Sequence, residues 1–343
     1  MSDRTSGTPG TTRTGLALAV ASAFAFGGSG VAAKPLIESG IDPLHVVWLR
    51  VAGAALVMLP LAVHHRAALR QRPGLLLGFG LLAVAGVQAF YFASLSYVPV
   101  GVALLVEYLA PALVLLWVRF VQRRPVTRAA AVGVVLAVAG LACVVQVWSG
   151  LAFDAVGLAL ALGAAACQVG YFLLSDQGQA EEGRAAVSPV AVIAYGLLVG
   201  AAVLTAVARP WRLDWSALGG SAGLGGLEVP RAALVAWIVL VSTVAAFLTG
   251  VLAVRRLSPQ VAGVVACLEA VIATVLAWAL LGERLAGAQL LGGLMVLVGA
   301  FIAQRSTPGA APEPASAPAP APEREARREE VTERELHGAH HLA

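Results

Sequence analysis

The chain has 343 residues, 59% of them hydrophobic and 12% charged, with a formal net charge of +4 and a mean hydropathy of +0.83. Soluble domains are nearer a quarter charged, so water is excluded as the solvent for most of this chain. A charge this small, spread among short loops, provides no basic face for nucleic acid, and no nucleic-acid partner is expected.

The apolar residues come in runs of about 20, the length an α-helix needs to cross a bilayer. In hydrocarbon the backbone must satisfy its own hydrogen bonds, so such runs are helices. The short alternating segments of a transmembrane barrel are absent. Ten spans are predicted, at about 14–33, 44–63, 74–96, 100–120, 129–148, 155–175, 188–208, 232–254, 261–281 and 286–304. The first is followed by the weakly cleavage-like "VAAKP" but is expected to be retained, because an equivalent recurs later. The expected fold is all-α and polytopic, with ten transmembrane helices.

Four regions follow: a short cytoplasmic segment at 1–13, five helices in 14–148, five more in 155–304, and a tail at 305–343. The tail is Pro/Ala-rich and then charged, a composition that cannot bury enough apolar surface to fold alone. Loop charge sets orientation in membranes. With the N-terminus inside, twelve arginines fall in cytoplasmic segments against five Lys/Arg in outer loops. Both termini are therefore expected in the cytoplasm. The longest loop, 209–231, has "ALGGSAGLGG" at its centre and is expected to be mobile; Trp211 and Trp215 suit an interfacial position.

The chain repeats itself. "GLALA" occurs at 15–19 and at 157–161, a shift of 142. "LSYVPVGVALLVE" (95–107) aligns with "LSPQVAGVVACLE" (257–269) at a shift of 162, and Gly133 with Gly140 matches Gly292 with Gly299 at 159. The three matches keep their order. Five spans is an odd number, so a second five-span copy enters the membrane from the opposite side. The expectation is two inverted five-helix repeats, an architecture common among secondary transporters, which bind substrate near the midplane.

Three ionisable residues lie well inside the spans: Arg50, Glu107 and Glu269. Charge in hydrocarbon is costly and normally faces a cavity or a partner. The two glutamates are repeat equivalents. One reading makes them a carboxylate pair in a central cavity, binding a substrate amine or carrying a proton across. The other makes each a protonated side chain hydrogen-bonded to a neighbouring helix. Arg50 either snorkels to the surface, lines an outer vestibule or holds a carboxylate, with Glu107 at similar depth. Gln88, Tyr91 and Phe92 share a face of span 3, and Gln168 with Tyr171 a face of span 6; each lines the cavity or packs between helices. Tyr108 beside Glu107 is a further cavity candidate. Pro111 removes the hydrogen bond to the Glu107 carbonyl, and a kink there opens the helix beside the carboxylate. "FGGSG" (26–30), and Gly74 with Gly78, are expected to allow close helix approach.

No enzyme chemistry is expected. "GGSG" (27–30) resembles the serine motif of rhomboid intramembrane proteases, but every histidine falls in a loop, at a helix end or in the tail, and that chemistry needs a base beside the serine. Cys143, Cys167 and Cys267 have no metal-ligand spacing. His337, His340 and His341 belong to a solvated tail. No metal and no cofactor are expected.

On "WLRVAGAAL", "YFASLSYVPVGVALLVEYLAPAL", "LGAAACQVGYFLLS", "STVAAFLTGVLAVRRLSP" and "LEAVIATVLAWALLGERLAGAQLLGGLMVLVGAFI", the chain resembles the EamA branch of the drug/metabolite transporter superfamily over about residues 14–304. Within it, spans 3, 4 and 6 are most similar to threonine/homoserine-type exporters. The resemblance implies a multi-pass carrier in the inner membrane of a bacterium, moving small amino acids or related metabolites outward with the proton as coupling ion. The family's intramembrane glutamates fall on Glu107 and Glu269, and its span 2 arginine on Arg50. Members often have proline directly after the second glutamate; here Ala270 stands there. Alternatives stay open: a carrier for sugars or nucleotide derivatives, or a non-transporting scaffold or sensor working through the tail. The expected partners are a small-molecule substrate, the proton and membrane lipid, with homodimerisation left open.

Overall fold

A computed structural model describes residues 9–146, 148, 153–179, 187–254 and 259–305. The tail beyond 305, with His337, His340 and His341, lies outside the described residues, as does the start of the N-terminal segment. The first half comprises α1 (Pro9–Glu38), α2 (Pro43–His64), the short α3 (Ala68–Gln71), α4 (Pro73–Gly78), a π-helical segment (Phe79–Gly86), α5 (Val87–Ser94), α6 (Val100–Glu107), α7 (Ala110–Phe120) and α8 (Arg128–Val145). The second half comprises α9 (Ala155–Gln179), α10 (Pro189–Ala208), strands β1 (Ser221–Leu224) and β2 (Leu227–Pro230), α11 (Arg231–Ala236), a second π segment (Trp237–Ala245), α12 (Ala246–Val254), α13 (Pro259–Leu281) and α14 (Gly287–Arg305).

Among the described residues, eight stretches are long and apolar enough to cross a membrane, including Pro73–Ser94, Val100–Phe120 and Arg231–Ala253. Two shorter apolar stretches, Cys267–Leu281 and Gly287–Ala303, lie where spans 9 and 10 were expected. The chain is thus a mostly helical, polytopic membrane protein. Leu56, Phe120, Val135 and Leu294 are among many large apolar side chains on the outside, a surface that suits acyl chains and not water.

Helix pairing is tight where side chains are small. α8 and α14 run antiparallel, with Gly133 against the carbonyl of Gly299 and Gly140 against that of Gly292. A methyl group on Gly140 would stand 2.6 Å from the Gly292 oxygen and 2.7 Å from the Val296 nitrogen. In "FGGSG", Gly27 sits on the backbone of α13 at Glu269 and Ala273. Gly74 and Gly78 differ from expectation: nothing lies within 4 Å of the position a Gly74 Cβ would take, and Gly78 faces the Leu174 side chain. Their spacing therefore makes no backbone seam.

Packing elsewhere follows one scheme. α2 packs on α10, as α8 does on α14. α13 packs on α1, while α6 and α7 pack on α9. α5 and its π segment lie against α9, and α12 and its π segment lie against α1. Exchanging each span with the one five later maps these pairings onto one another, although α14 also packs on α6 and α7.

The loop between α10 and α11, expected to be mobile, has regular structure and adds a β-hairpin to a fold expected to be all-α. Gly225 and Gly226 have φ of +61° and +78°, which only glycine adopts readily. They form the two-residue turn between Leu224 and Leu227, which pair across the ladder. Arg231 fixes the base, donating to the carbonyls of Ser221 at 2.9 Å and Ala217 at 2.9 Å. Asp214 accepts from the Ser216 hydroxyl at 2.6 Å and amide at 3.0 Å, which holds its carboxyl below the ordinary carboxylate range. The turn also docks: the Gly225 amide donates to the carbonyl of Leu280 at the end of α13, at 2.8 Å.

Candidate functional site

Val100–Phe120 is not one continuous helix. Pro111 has no amide hydrogen to give the Glu107 carbonyl, so α6 stops at Glu107 and α7 starts at Ala110. The Leu109 amide instead donates to Val106 at 3.1 Å. Glu107 thus ends a helix at the break. From Val100 to Val106 every residue is buried; from Glu107 onward the chain lines a cavity.

That cavity, about 230 Å³, is lined by Glu107, Tyr108, Ala110 and Pro111, by Gln168 and Phe172 of α9, and by Glu269 of α13. Both intramembrane carboxylates therefore border one space. The Tyr108 hydroxyl donates to Glu269 Oε2 at 3.4 Å. Both carboxylates lie in the field of Arg50 and in each other's field. No described lining residue is cationic. The volume falls below the roughly 300–1,000 Å³ typical of drug-sized ligand pockets, so it suits a small solute. Among the described residues no cluster of His, Cys, Asp or Glu is arranged to hold a metal ion.

Arg50 is only 3% exposed, so it does not snorkel. Among the described residues its hydrogen-bond partners are neutral and do not include Glu107. Nε donates to Thr243 Oγ1 at 2.8 Å, Nη1 to Gln88 Oε1 at 2.7 Å, and Nη2 to the Ser242 carbonyl at 3.2 Å. The Phe92 ring lies beneath, with 5.3 Å from Cζ to its centroid. The second π segment makes this arrangement available. Thr243 donates its hydroxyl to Ile238, five residues back, at 2.8 Å, and still accepts from Arg50. A buried guanidinium held by several acceptors and an aromatic face is tolerable where a bare cation is not.

The structure thus separates the expected residues into two groups. Glu107, Glu269, Tyr108, Pro111 and Gln168 line the cavity. Gln88 and Phe92 hold Arg50, and Tyr91 stacks edge-on to Phe92 at 5.6 Å. Tyr171 packs edge-on against Phe79 at 5.1 Å, and it is Phe172, four residues after Gln168, that shares the cavity face. Sequence reasoning missed Phe172, although its i+4 spacing was available. It also missed Ser242 and Thr243, which carry no charge to attract notice.

A second constellation closes the end of the bundle where the hairpin lies. Lys34 of α1 pairs with Glu283, just after α13, at 2.6 Å. The Glu283 carboxylate also accepts the Val100 amide, at 3.0 and 3.2 Å, at the first residue of α6, where a helix has unpaired amides and favours negative charge.

Comparison with known proteins places these features. The EamA-like transporter family matches residues 13–146 and, a second time, 155–304. The threonine/homoserine exporter RhtA of Salmonella typhimurium strain SL1344 is 30% identical over 269 residues, covering 78% of this chain and 83% of that protein. RhtA of Escherichia coli K12 is 31% identical over 259 residues, covering 75% and 79%. A protein crystal structure, 22% identical, superposes with a TM-score of 0.53 over 86% of this chain and 96% of its own, a likeness of fold alone. With residues of both halves matched, the chain belongs to the EamA-like transporter family.

Proposed function

We propose that this protein exports small amino acids or related metabolites across the bacterial inner membrane, coupled to protons, by alternating access between two inverted five-span halves. The observation carrying this reading is that Glu107 and Glu269, equivalent in the repeat, border one cavity at a helix break. A carboxylate there can exchange a proton for a substrate amine without leaving the protein. The antiparallel packing of α8 on α14, and the main helix pairings that map onto one another when the halves are exchanged, support inverted repeats. The names of the RhtA relatives support amino-acid cargo. The distribution of arginines supports cytoplasmic termini.

The test is uptake of labelled threonine into proteoliposomes under an imposed pH gradient. Wild-type protein is expected to respond to the gradient, and Glu107→Gln or Glu269→Gln to lose that response. Transport indifferent to both the gradient and the substitutions overturns proton coupling. A competition panel of unlabelled amino acids, sugars and nucleotide derivatives decides the cargo: if only the last two compete, the amino-acid reading falls.

A further inference from the structure

The Lys34–Glu283 pair and the capped start of α6 stand between the hairpin end and the cavity. Glu283 ties three elements together: the end of α1 through Lys34, the first turn of α6 through Val100, and the α13–α14 connection it belongs to. Lys34 also reaches the Val98 carbonyl, at 3.5 Å. Beyond this clasp, α6 is buried up to the residue before Glu107. At the hairpin end α6 is therefore covered by protein on every side.

The repeat gives the clasp a counterpart. The shift of 142 that superposes the two "GLALA" copies carries Lys34 onto Asp176 of α9. For Glu283 the backbone supplies the register. Gly282 (φ +68°) and Arg123 (φ +56°) are both left-handed, and α14 and α8 begin five residues after them, at Gly287 and Arg128. These positions are all 159 apart, the shift that also relates Gly133 to Gly292. On that register Glu283 falls on Arg124. The same two positions thus carry Lys and Glu in one arrangement, Asp and Arg in the other: an opposite-charge pair with its signs exchanged.

We propose that Lys34–Glu283 is the gate at the hairpin end, and that Asp176 and Arg124 form its counterpart at the other end when the first is open. This inference rests on the alternating-access reading of the inverted halves. Each pair holds the first span of one half to the connection between the last two spans of the other half. Only one closes at a time, because rocking that brings one pair together draws the other apart. Opposite charge at both places makes each closed state a distinct, bounded minimum.

The test reads conformation without substrate. In a background lacking Cys143, Cys167 and Cys267, a reporter cysteine is placed at Ala103, on the Glu107 face one turn nearer the clasp, or at Phe172 in the cavity. The full chain is reconstituted in nanodiscs, where water meets both ends, and labelling by a charged methanethiosulfonate is timed. Lys34→Met or Glu283→Gln is expected to speed labelling at Ala103→Cys by about tenfold or more, the scale of one lost charge-assisted hydrogen bond, and to slow it at Phe172→Cys. Adding Asp176→Asn and Arg124→Gln is expected to reverse both changes. Unchanged labelling at Ala103→Cys overturns the gate; faster labelling there with Phe172→Cys unaffected shows local fraying and overturns the alternation. If threonine transport fails while labelling behaves as stated, the gate stands and the cargo and coupling reading falls.

Discussion

Arg50 shows how much a single buried cation depends on neutral partners. Its planar fork reaches Thr243, Gln88 and the Ser242 carbonyl at once, a task for which lysine, a point charge on a flexible stem, is poorly shaped. Arg50→Lys is expected to leave the protein folded but to lower transport, measured as initial rate in proteoliposomes. Thr243→Val preserves shape but leaves Nε without its acceptor. It is expected to cost about 1–3 kcal/mol, seen as a lower melting temperature in detergent by intrinsic tryptophan fluorescence. The cation itself was legible in the sequence as a charge in a span, and its partners were not. Neutral residues from spans 3 and 8 leave no mark that points to Arg50 across 38 and 193 positions. The glutamates were easier, because a rare charge recurring at the same place in two copies is its own signal.

Among the elements, the broken span 4 and the glycine seam make opposite demands on the backbone. Pro111→Ala supplies the amide that the Glu107 carbonyl lacks, so α6 and α7 can join into one helix. The variant is expected to be as stable as the parent or more so, and slower in transport, since a continuous helix draws the Glu107 backbone back into its ladder. Melting temperature and transport rate together check this. In the α8–α14 seam, Gly140→Ala drives a methyl into backbone 2.6 Å away, which cannot step aside as a side chain can. Its melting temperature is expected to fall sharply, while Gly74→Ala, with open space around it, is expected to be neutral or stabilising by up to about 1 kcal/mol. The break at Pro111 was readable from the proline alone. The two π segments were not: the first is apolar throughout, the second apolar but for Ser242 and Thr243, and the fifth-residue bond of Thr243 to Ile238 is visible only in coordinates. The hairpin lay in between. Its two glycines marked a turn, but the long polar loop around them read as mobile until Arg231 and Leu280 were seen to anchor it.

For the whole molecule, the polytopic, mostly helical character was legible in hydropathy, whereas the Lys34–Glu283 clasp joins residues 249 positions apart that no local pattern connects. The seam between α8 and α14 has a meaning beyond packing. Gly133 meets Gly299 while Gly140 meets Gly292, and these are the same two positions of the repeat, each meeting the other's copy. Such a contact is isologous, the kind two identical subunits make across a dimer axis. On the inverted-repeat reading proposed above, the seam has the form of a contact between two equivalent five-span halves. Co-expressing residues 1–150 and 151–305 as separate chains is accordingly expected to yield a complex that copurifies and transports, and Gly140→Ala is expected to abolish copurification. The loop between the halves would then be a tether that raises the local concentration of one half around the other, dispensable once both are made in the same membrane.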